Sequence, residues 1–262
     1  MDLQLLGKKI AICGATGMLG RAVAQQLSNE GARLALLGRN LEALSELATL
    51  LTHTRPDSVT VHQCDLACPQ STAAGFEAAD QALQGIDVFI SAAGAAQGGL
   101  FWEIDDAAWQ RNLEAKLFGS IRALREVAPR MVQRKTGRIV LIVGNSAKHP
   151  EPRMLPGAAA NAALLAIVRG LAEELGPHGV AINAVCPGPV RSSRWDTLMQ
   201  AAATRENISV EQAEQRFLAK SALQRLATAD EIAQHVVFLA SPVAAHMTGT
   251  SIIVDGGTTK TP

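Results

Sequence analysis

Apolar and polar positions divide the chain into an alternating series of strand-like runs and helix-like segments. The strand-like runs are KKIAICGA, ARLALLG, VTVHQCD, IDVFISAAG, GRIVLIVG, VAINAVCPG and SIIVDGG. Most of them are almost wholly apolar, which is typical of strands that are covered on both faces. Alternating strands and helices predict an α/β fold: a single doubly wound, Rossmann-type parallel sheet of about seven strands with helices on both faces.

The segments between these runs have the spacing of amphipathic helices. The first runs from Met18 to a glycine stop at Gly31, with Leu19, Val23 and Leu27 on one face. The same reasoning predicts helices at residues 41–51, 73–83, 106–133, 158–175 and 230–240.

Residues 192–222 are polar and helical without a clear core face, and we interpret them as a substrate lid. Trp195, Met199 and Phe217 of this segment are candidate substrate contacts. Packing in the core is the alternative for all three side chains.

Composition limits the function classes. The 262 residues, 48% apolar and 18% charged, predict one globular domain over 1–262, since no linker or repeat divides the chain. Basic and acidic residues number 24 each, which does not indicate nucleic acid or an anionic membrane as partner. The chain starts without a signal-type pattern and contains no continuous apolar run of about eighteen residues, so we expect a cytoplasmic protein.

The four cysteines do not suggest a metal or redox centre. Cys13 and Cys186 lie in apolar runs, and Cys64 and Cys68 lack the spacing of a redox pair or of half a zinc site. We therefore expect reduced thiols and no bound metal.

A glycine-rich turn follows the first predicted strand and opens the first helix. It reads Cys13-Gly14-Ala15-Thr16-Gly17-Met18-Leu19-Gly20. Glycines in this context permit a tight turn and close helix–sheet packing, and the helix N-terminus offers free N–H groups to a pyrophosphate. The turn predicts dinucleotide binding, with Gly14, Thr16, Met18 and Leu19 as contacts; an ordinary glycine turn is the alternative.

Residues after the next three strands indicate which dinucleotide the site binds. Arg39 stands where an acidic residue would bind the ribose hydroxyls of NAD, and a guanidinium there can pair with a 2′-phosphate. The sequence therefore favours NADP(H), with a solvated arginine as the alternative. Asp65 and Leu66 are placed to meet the adenine, and the small Ala93 and Gly94 allow close approach of a nucleotide to the backbone.

Over essentially its whole length, the chain resembles the short-chain dehydrogenase/reductase family. The residues that carry the resemblance are the Gly14–Gly20 turn, Asp65-Leu66, Ala93-Gly94, Trp109, Asn183, Pro187-Gly188, and the stretch from Thr248-Gly249 to Val254-Asp255-Gly256-Gly257. The turn departs from the common form of the family, because Met18 replaces its middle glycine. We interpret it as a variant turn that still binds the cofactor.

The resemblance also implies further contacts and partners. Pro187, Gly188 and Val190 would wall the nicotinamide, and Ser192 stands where a carboxamide-binding threonine is usual. A small-molecule substrate is implied, and so is a homodimer or homotetramer assembled through the helices predicted at 106–133 and 158–175.

The residues that perform the family's usual chemistry are missing. Members of the family reduce carbonyls with a serine, a Tyr-x-x-x-Lys pair and an asparagine, of which the tyrosine is the general acid. The flanking sequences place these four positions at Gly144, Gly157, Asn161 and Lys116. Because the chain contains no tyrosine at all, a tyrosine-based ketoreductase is nearly excluded.

Other side chains are candidates for replacing the lost groups. Asn161 places an amide at the family's lysine position, and Lys116 places a lysine at the family's asparagine position. We therefore expect Lys116 to bring an ammonium into the site, where desolvation would lower its pKa. A lysine on an exposed helix face is the alternative. Ser146 and His149 follow the fifth strand near the lost serine and are further candidates, with an ordinary polar loop as the alternative.

Three functions fit these residues. The first is an NADP(H)-dependent oxidoreductase with a replacement acid or none, acting on a substrate such as an iminium or activated alkene that needs little acid catalysis. The second is a non-redox cyclase, lyase or isomerase that keeps the nucleotide as a structural part. The third is a nucleotide-binding partner protein without chemistry. The cofactor site, whose expected residues are all present in the sequence, favours the first.

Overall fold

The computed structural model describes residues 2–52, 58–94 and 98–260 and contains one parallel sheet. Its strands are β1 (Lys9–Cys13), β2 (Arg33–Gly38), β3 (Val59–Gln63), β4 (Val88–Ser91), β5 (Gly137–Ile142), β6 (Val180–Pro187) and β7 (Ser251–Val254). They pair in the order β3-β2-β1-β4-β5-β6-β7, and every pairing is parallel. The predicted doubly wound sheet is confirmed.

Helices cover both faces of this sheet. They are α1 (Met18–Asn29), α2 (Leu41–Leu51), α3 (Pro69–Leu83), α4 (Asp106–Leu113), α5 (Gly119–Arg134), α6 (Leu155–Leu175), α7 (Ser193–Glu206), α8 (Val210–Leu218) and α9 (Ala229–Ala240). One buried layer joins the sheet to α1, α2 and α9, and the other joins it to α3, α5 and α6. The chain order reverses between β1 and β4, so ligands are expected beyond the carboxyl ends of these strands.

The long helix predicted at 106–133 is interrupted. A wide π-helical turn, Glu114–Phe118, separates α4 from α5 and has Lys116 at its centre. The apolar pattern continues across this turn, so periodicity alone could not reveal it. Such turns are rare and often mark functional sites.

Residues 192–222, in which the sequence shows no clear core face, do bury apolar side chains in the structure. Helices α7 and α8 enclose a small apolar cluster of their own, centred on Trp195 and Met199, which are each 5% exposed. The rings of Trp195 and Phe217 meet edge to face with centroids 4.8 Å apart. These contacts favour core packing over substrate contact for the three side chains.

Among the described residues, one helix is long and apolar enough to cross a membrane by length and composition alone. It comprises α6 and the short turn that follows, Leu155–His178. Its inner face packs against β6 and belongs to the buried layer of α3 and α5. A core helix of a globular domain has the same composition, so this helix is weak support for a membrane span.

Candidate active site

The glycine-rich turn after β1 is compact and closely surrounded by backbone. Gly14 has φ of +74°, and a Cβ atom there would lie 2.7 Å from the backbone nitrogen of Ala93. Its N–H group donates to the carbonyl oxygen of Leu37 at 3.1 Å, which ties the turn to β2. Only glycine combines this left-handed conformation with so close an approach to the loop after β4.

Helix α1 begins directly after this turn. Its N-cap residue, Gly17, provides no side-chain hydrogen bond, so no N-cap side chain occupies the first N–H groups of the helix. Thr16 and Leu19 are half-buried beside the turn, and Met18 is exposed. Unpaired N–H groups and the positive end of the helix dipole together favour a bound phosphate.

The other predicted cofactor residues lie at the same edge of the sheet. Arg39 is exposed after β2 and forms no hydrogen bond or ion pair with the described residues. The Asp65 carboxylate after β3 accepts the N–H of Ala67 at 3.0 Å, and Leu66 is buried. Because β2 and β3 pair in register through Gly38 and Gln63, these loops leave the sheet at the same level.

The wall expected beside the nicotinamide follows β6. Gly188 donates its N–H to the carbonyl oxygen of Val254 at 3.0 Å, and Val190 pairs with Ala227 in an isolated bridge. The predicted carboxamide residue, Ser192, caps α7: its hydroxyl accepts the N–H of Trp195 at 3.1 Å and donates to Val190 O at 3.2 Å. The Ser192 hydroxyl is therefore engaged in holding the helix.

Lys116 lies at the carboxyl edge of the sheet, with its stem against Gly94. A Cβ atom on Gly94 would lie 3.0 Å from Lys116 Cδ, so this glycine leaves the space through which the side chain passes. Its Nζ donates a hydrogen bond to the carbonyl oxygen of Val143, the residue after β5, at 2.9 Å. Burial, and secondly the charge of Arg194, lower the pKa of Lys116 to about 8.

Asn161 occupies the space beside Gly144. Its Nδ2 donates to Ser146 Oγ at 2.8 Å, while its Oδ1 is buried without a hydrogen-bond partner among the described residues. Gly144 has φ of +101°, and a Cβ atom there would lie 2.9 Å from Asn161 Nδ2. Gly157 is buried in the first turn of α6, four residues before Asn161.

Lys116, Asn161 and Ser146 thus lie around the carboxyl end of β5, whereas no hydrogen bond links the His149 ring to them. The His149 ring is half-buried and forms no hydrogen bond with the described residues; only its backbone N–H is bonded, to Asn145 O. A fourth group that the sequence reasoning missed is Arg194 in the first turn of α7, whose charge acts on Lys116. No motif marked Arg194, because it lies in the segment that lacked a clear pattern.

Comparison with known proteins identifies relatives over the whole chain. A family model described as enoyl-(acyl carrier protein) reductase matches residues 14–259. An uncharacterised oxidoreductase of Bacillus subtilis is 30% identical over 261 residues, covering 98% of both chains. Nodulation protein G of Rhizobium meliloti is 30% identical over 254 residues, covering 97% of this chain and 98% of its own length.

Solved structures that were determined with NADPH share this fold. L-Sorbose reductase from Gluconobacter frateurii, complexed with NADPH and L-sorbose, matches with a TM-score of 0.92 and 26% identity over the full length of both chains. An NADPH-bound short-chain oxidoreductase from Pseudomonas aeruginosa, described as containing an atypical catalytic centre, matches with a TM-score of 0.87 and 29% identity over 98% of this chain and 100% of its own. The chain belongs to the short-chain dehydrogenase/reductase family of NAD(P)-dependent oxidoreductases.

Proposed function

We propose that this protein is an NADP(H)-dependent oxidoreductase with a non-standard active site, in which the ammonium of Lys116 donates the proton. The observation that carries the proposal is the position of Lys116, hydrogen-bonded to Val143 O at the carboxyl edge with a pKa lowered to about 8. The chain contains no tyrosine that could serve instead. The Pseudomonas aeruginosa neighbour, described as atypical in its catalytic centre, supports a changed site on this fold.

The residues of the nucleotide site fit NADP(H). The cradle at Gly14 has no room for a side chain, and the adjoining N-terminus of α1 offers uncapped N–H groups to a pyrophosphate. The guanidinium of Arg39 has no partner among the described residues and matches the charge and geometry of a 2′-phosphate. When bound, NADPH supplies the hydride.

Lys116 has the properties of a general acid that works near neutral pH. A donor with a pKa close to the working pH is both protonated and able to release its proton. The bond to Val143 O fixes the ammonium and leaves two N–H groups for the substrate. One of these protons passes to the substrate atom that gains electron density, and the neutral amine regains a proton from water.

Ser146 and Asn161 orient the acceptor atom of the substrate. Because Asn161 Nδ2 donates to Ser146 Oγ, the hydroxyl proton of Ser146 remains available, and no other described residue accepts it. Ser146 therefore offers a hydrogen-bond donor two residues after the family's serine position at Gly144. The hydroxyl assists in polarising a C=O, C=N or conjugated C=C group, and Lys116 completes the protonation.

The proposal is tested by following NADPH oxidation against panels of imines, enones and quinones. We expect turnover with at least one of these classes, and a lower rate when NADH replaces NADPH. Tight NADPH binding without turnover of any class would contradict the proposal and indicate a nucleotide-binding partner protein. Conversion of a substrate without net oxidation of NADPH would instead indicate a non-redox enzyme.

A further inference from the structure

Arg122 lies in the first turn of α5 and bonds two separate segments of the chain. Its Nη1 donates to the carbonyl oxygen of Leu66 at 2.9 Å, and its Nη2 lies 2.5 Å from Glu114 Oε1. Leu66 belongs to the β3–α3 loop, residues 64–68, where the sequence predicts the adenine. Glu114 is the first residue of the π-helical turn that carries Lys116. One guanidinium therefore joins the predicted nucleotide site to the turn that holds the proposed proton donor.

The β3–α3 loop also packs directly against the start of α5. Leu66 is buried, and a Cβ atom on Gly119 would lie 2.9 Å from Leu66 Cβ. The neighbouring Asp65 is bonded to α3 instead: its N–H donates to Ser71 Oγ at 3.0 Å, and its carbonyl oxygen accepts the Thr72 hydroxyl at 3.1 Å. The loop thus lies between two helices, with Asp65 held by α3 and Leu66 by α5.

The ion pair of Arg122 spans the π-helical turn. Side chains on a regular α-helix meet at spacings of three or four residues, whereas Glu114 and Arg122 are eight positions apart, with the wide turn Glu114–Phe118 between them. Because π-helical turns are rare interruptions of α-helices, we expect contacts across the turn to stabilise it. The Arg122 guanidinium supplies such a contact two residues before Lys116.

Building on the proposed function, we propose that Arg122 is a positioning residue through which a nucleotide bound at the β3–α3 loop holds Lys116 at the carboxyl edge. The nucleotide fixes the loop, and the carbonyl of Leu66 then orients the guanidinium. Because a guanidinium is planar and rigid, orienting one arm directs the other at Glu114. A fixed Glu114 stabilises the π-helical turn, so that Lys116 Nζ stays bonded to Val143 O. Lys116 is therefore held most firmly in the nucleotide complex, in which it has to donate its proton.

The test uses a ligand that carries the adenine and two phosphates but no nicotinamide, adenosine 2′,5′-bisphosphate. Lys116 is acetylated with acetic anhydride in the presence and absence of this ligand, and mass spectrometry measures the rate, so the result is independent of turnover. An amine held against Val143 O is less accessible to the reagent. We expect the ligand to slow acetylation of Lys116 about three- to fivefold, the scale of one partly exposed ion pair. A calorimeter checks that the ligand saturates its site. No binding, or binding without a change in rate, would overturn the proposal and leave the proposed function open.

Arg122→Gln distinguishes transmission through the guanidinium from direct shielding of Lys116 by the ligand. In this variant the bound ligand should no longer slow acetylation, whereas direct shielding would persist. Arg125→Gln is the matched control, because Arg125 is exposed on the same helix and forms no hydrogen bond or ion pair with the described residues. Wild-type protection in Arg122→Gln, or an equal loss of protection in Arg125→Gln, would contradict the proposal.

Glu114 variants test the same link from its other end and decide the matter if Arg122→Gln does not bind the nucleotide. Glu114→Ala should abolish the protection, because it removes the acceptor of the guanidinium. Glu114→Gln keeps an oxygen that accepts a hydrogen bond and should retain part of the protection. A merely structural role would change the acetylation rate equally with and without the ligand, and this result, or full protection in Glu114→Ala, would overturn the proposal.

Discussion

The carboxyl edge of the sheet has a nucleotide half, around the Gly14 turn, and a proposed reaction half, around Lys116. The two halves are built from different parts of the chain. The nucleotide half depends mainly on backbone: the left-handed Gly14, its contact with Ala93 and the uncapped start of α1. The half in which we propose that the reaction takes place depends on the side chains of Lys116, Asn161 and Ser146. Backbone geometry persists through many substitutions as long as its glycines remain, whereas one substitution changes what a side chain can do. The fold and cofactor site therefore leave the reaction unspecified.

The largest expected effect is on the rate of NADPH oxidation when Lys116, in the reaction half, is replaced. Lys116→Ala should lower the rate of NADPH oxidation by about 10²- to 10⁴-fold, because it removes the proton donor. NADPH affinity should stay nearly unchanged, since the nucleotide half does not depend on this ammonium. Stopped-flow kinetics measures the rate, and fluorescence titration measures the NADPH affinity. The control is Lys220→Ala, because Lys220 is exposed. Retained activity in Lys116→Ala would remove the lysine from the mechanism.

A second substitution perturbs the nucleotide half alone. In Gly14→Ala, the methyl group would lie 2.7 Å from Ala93 N at a φ of +74°. A strained backbone of this kind costs about 2–3 kcal/mol, which corresponds to a roughly 30- to 150-fold loss of NADPH affinity.

Gly17→Ala is the matched control in the same turn. A Cβ atom there would meet only Gly14 O, at 3.3 Å, and Gly17 has φ of −68°. We expect a much smaller loss of NADPH affinity in the same titration. Equal losses in the two variants would show that the left-handed turn is not what holds the nucleotide.

The smallest expected effect concerns cofactor choice. Arg39→Ala should weaken NADPH binding by about tenfold, the value of one charge-assisted hydrogen bond at an exposed site, and leave NADH binding unchanged. Titration of both nucleotides checks this. If NADH binds the wild-type protein as tightly as NADPH, Arg39 does not recognise a 2′-phosphate.

The contrast between backbone geometry and side-chain chemistry also explains which features the sequence predicted. All seven strands were predicted. Burial makes the residues of the five inner strands almost wholly apolar, and the half-buried edge strands β3 and β7 keep enough apolar residues to be recognised. The Gly14 turn was recognisable because its glycines are required by local backbone geometry. The position of Lys116 at the edge could be expected only from its exchange with Asn161, and the contact with Gly94 that admits its stem left no sequence pattern.

Two features could not be predicted for physical reasons. The π-helical turn Glu114–Phe118 adds a wide turn without changing the surrounding apolar periodicity. Helices α7 and α8 pack against each other, so their apolar face is narrow and divided between two short segments. Arg194 belongs to this region, and its electrostatic effect on Lys116 arises only when the chain is folded.

The pH dependence of kcat/KM for NADPH oxidation tests the role of Lys116 most directly, because it reports ionisations of the free enzyme. The folded pKa of Lys116 is about 8, below its ordinary value of 10.5. Since the protonated amine is the active form, kcat/KM should be constant below this pKa and fall tenfold per pH unit above it. In Lys116→Ala, the residual kcat/KM should no longer fall above this pKa. A wild-type profile that stays flat to pH 10, or a limb near pH 8 that persists in Lys116→Ala, would contradict the assignment of Lys116 as the proton donor.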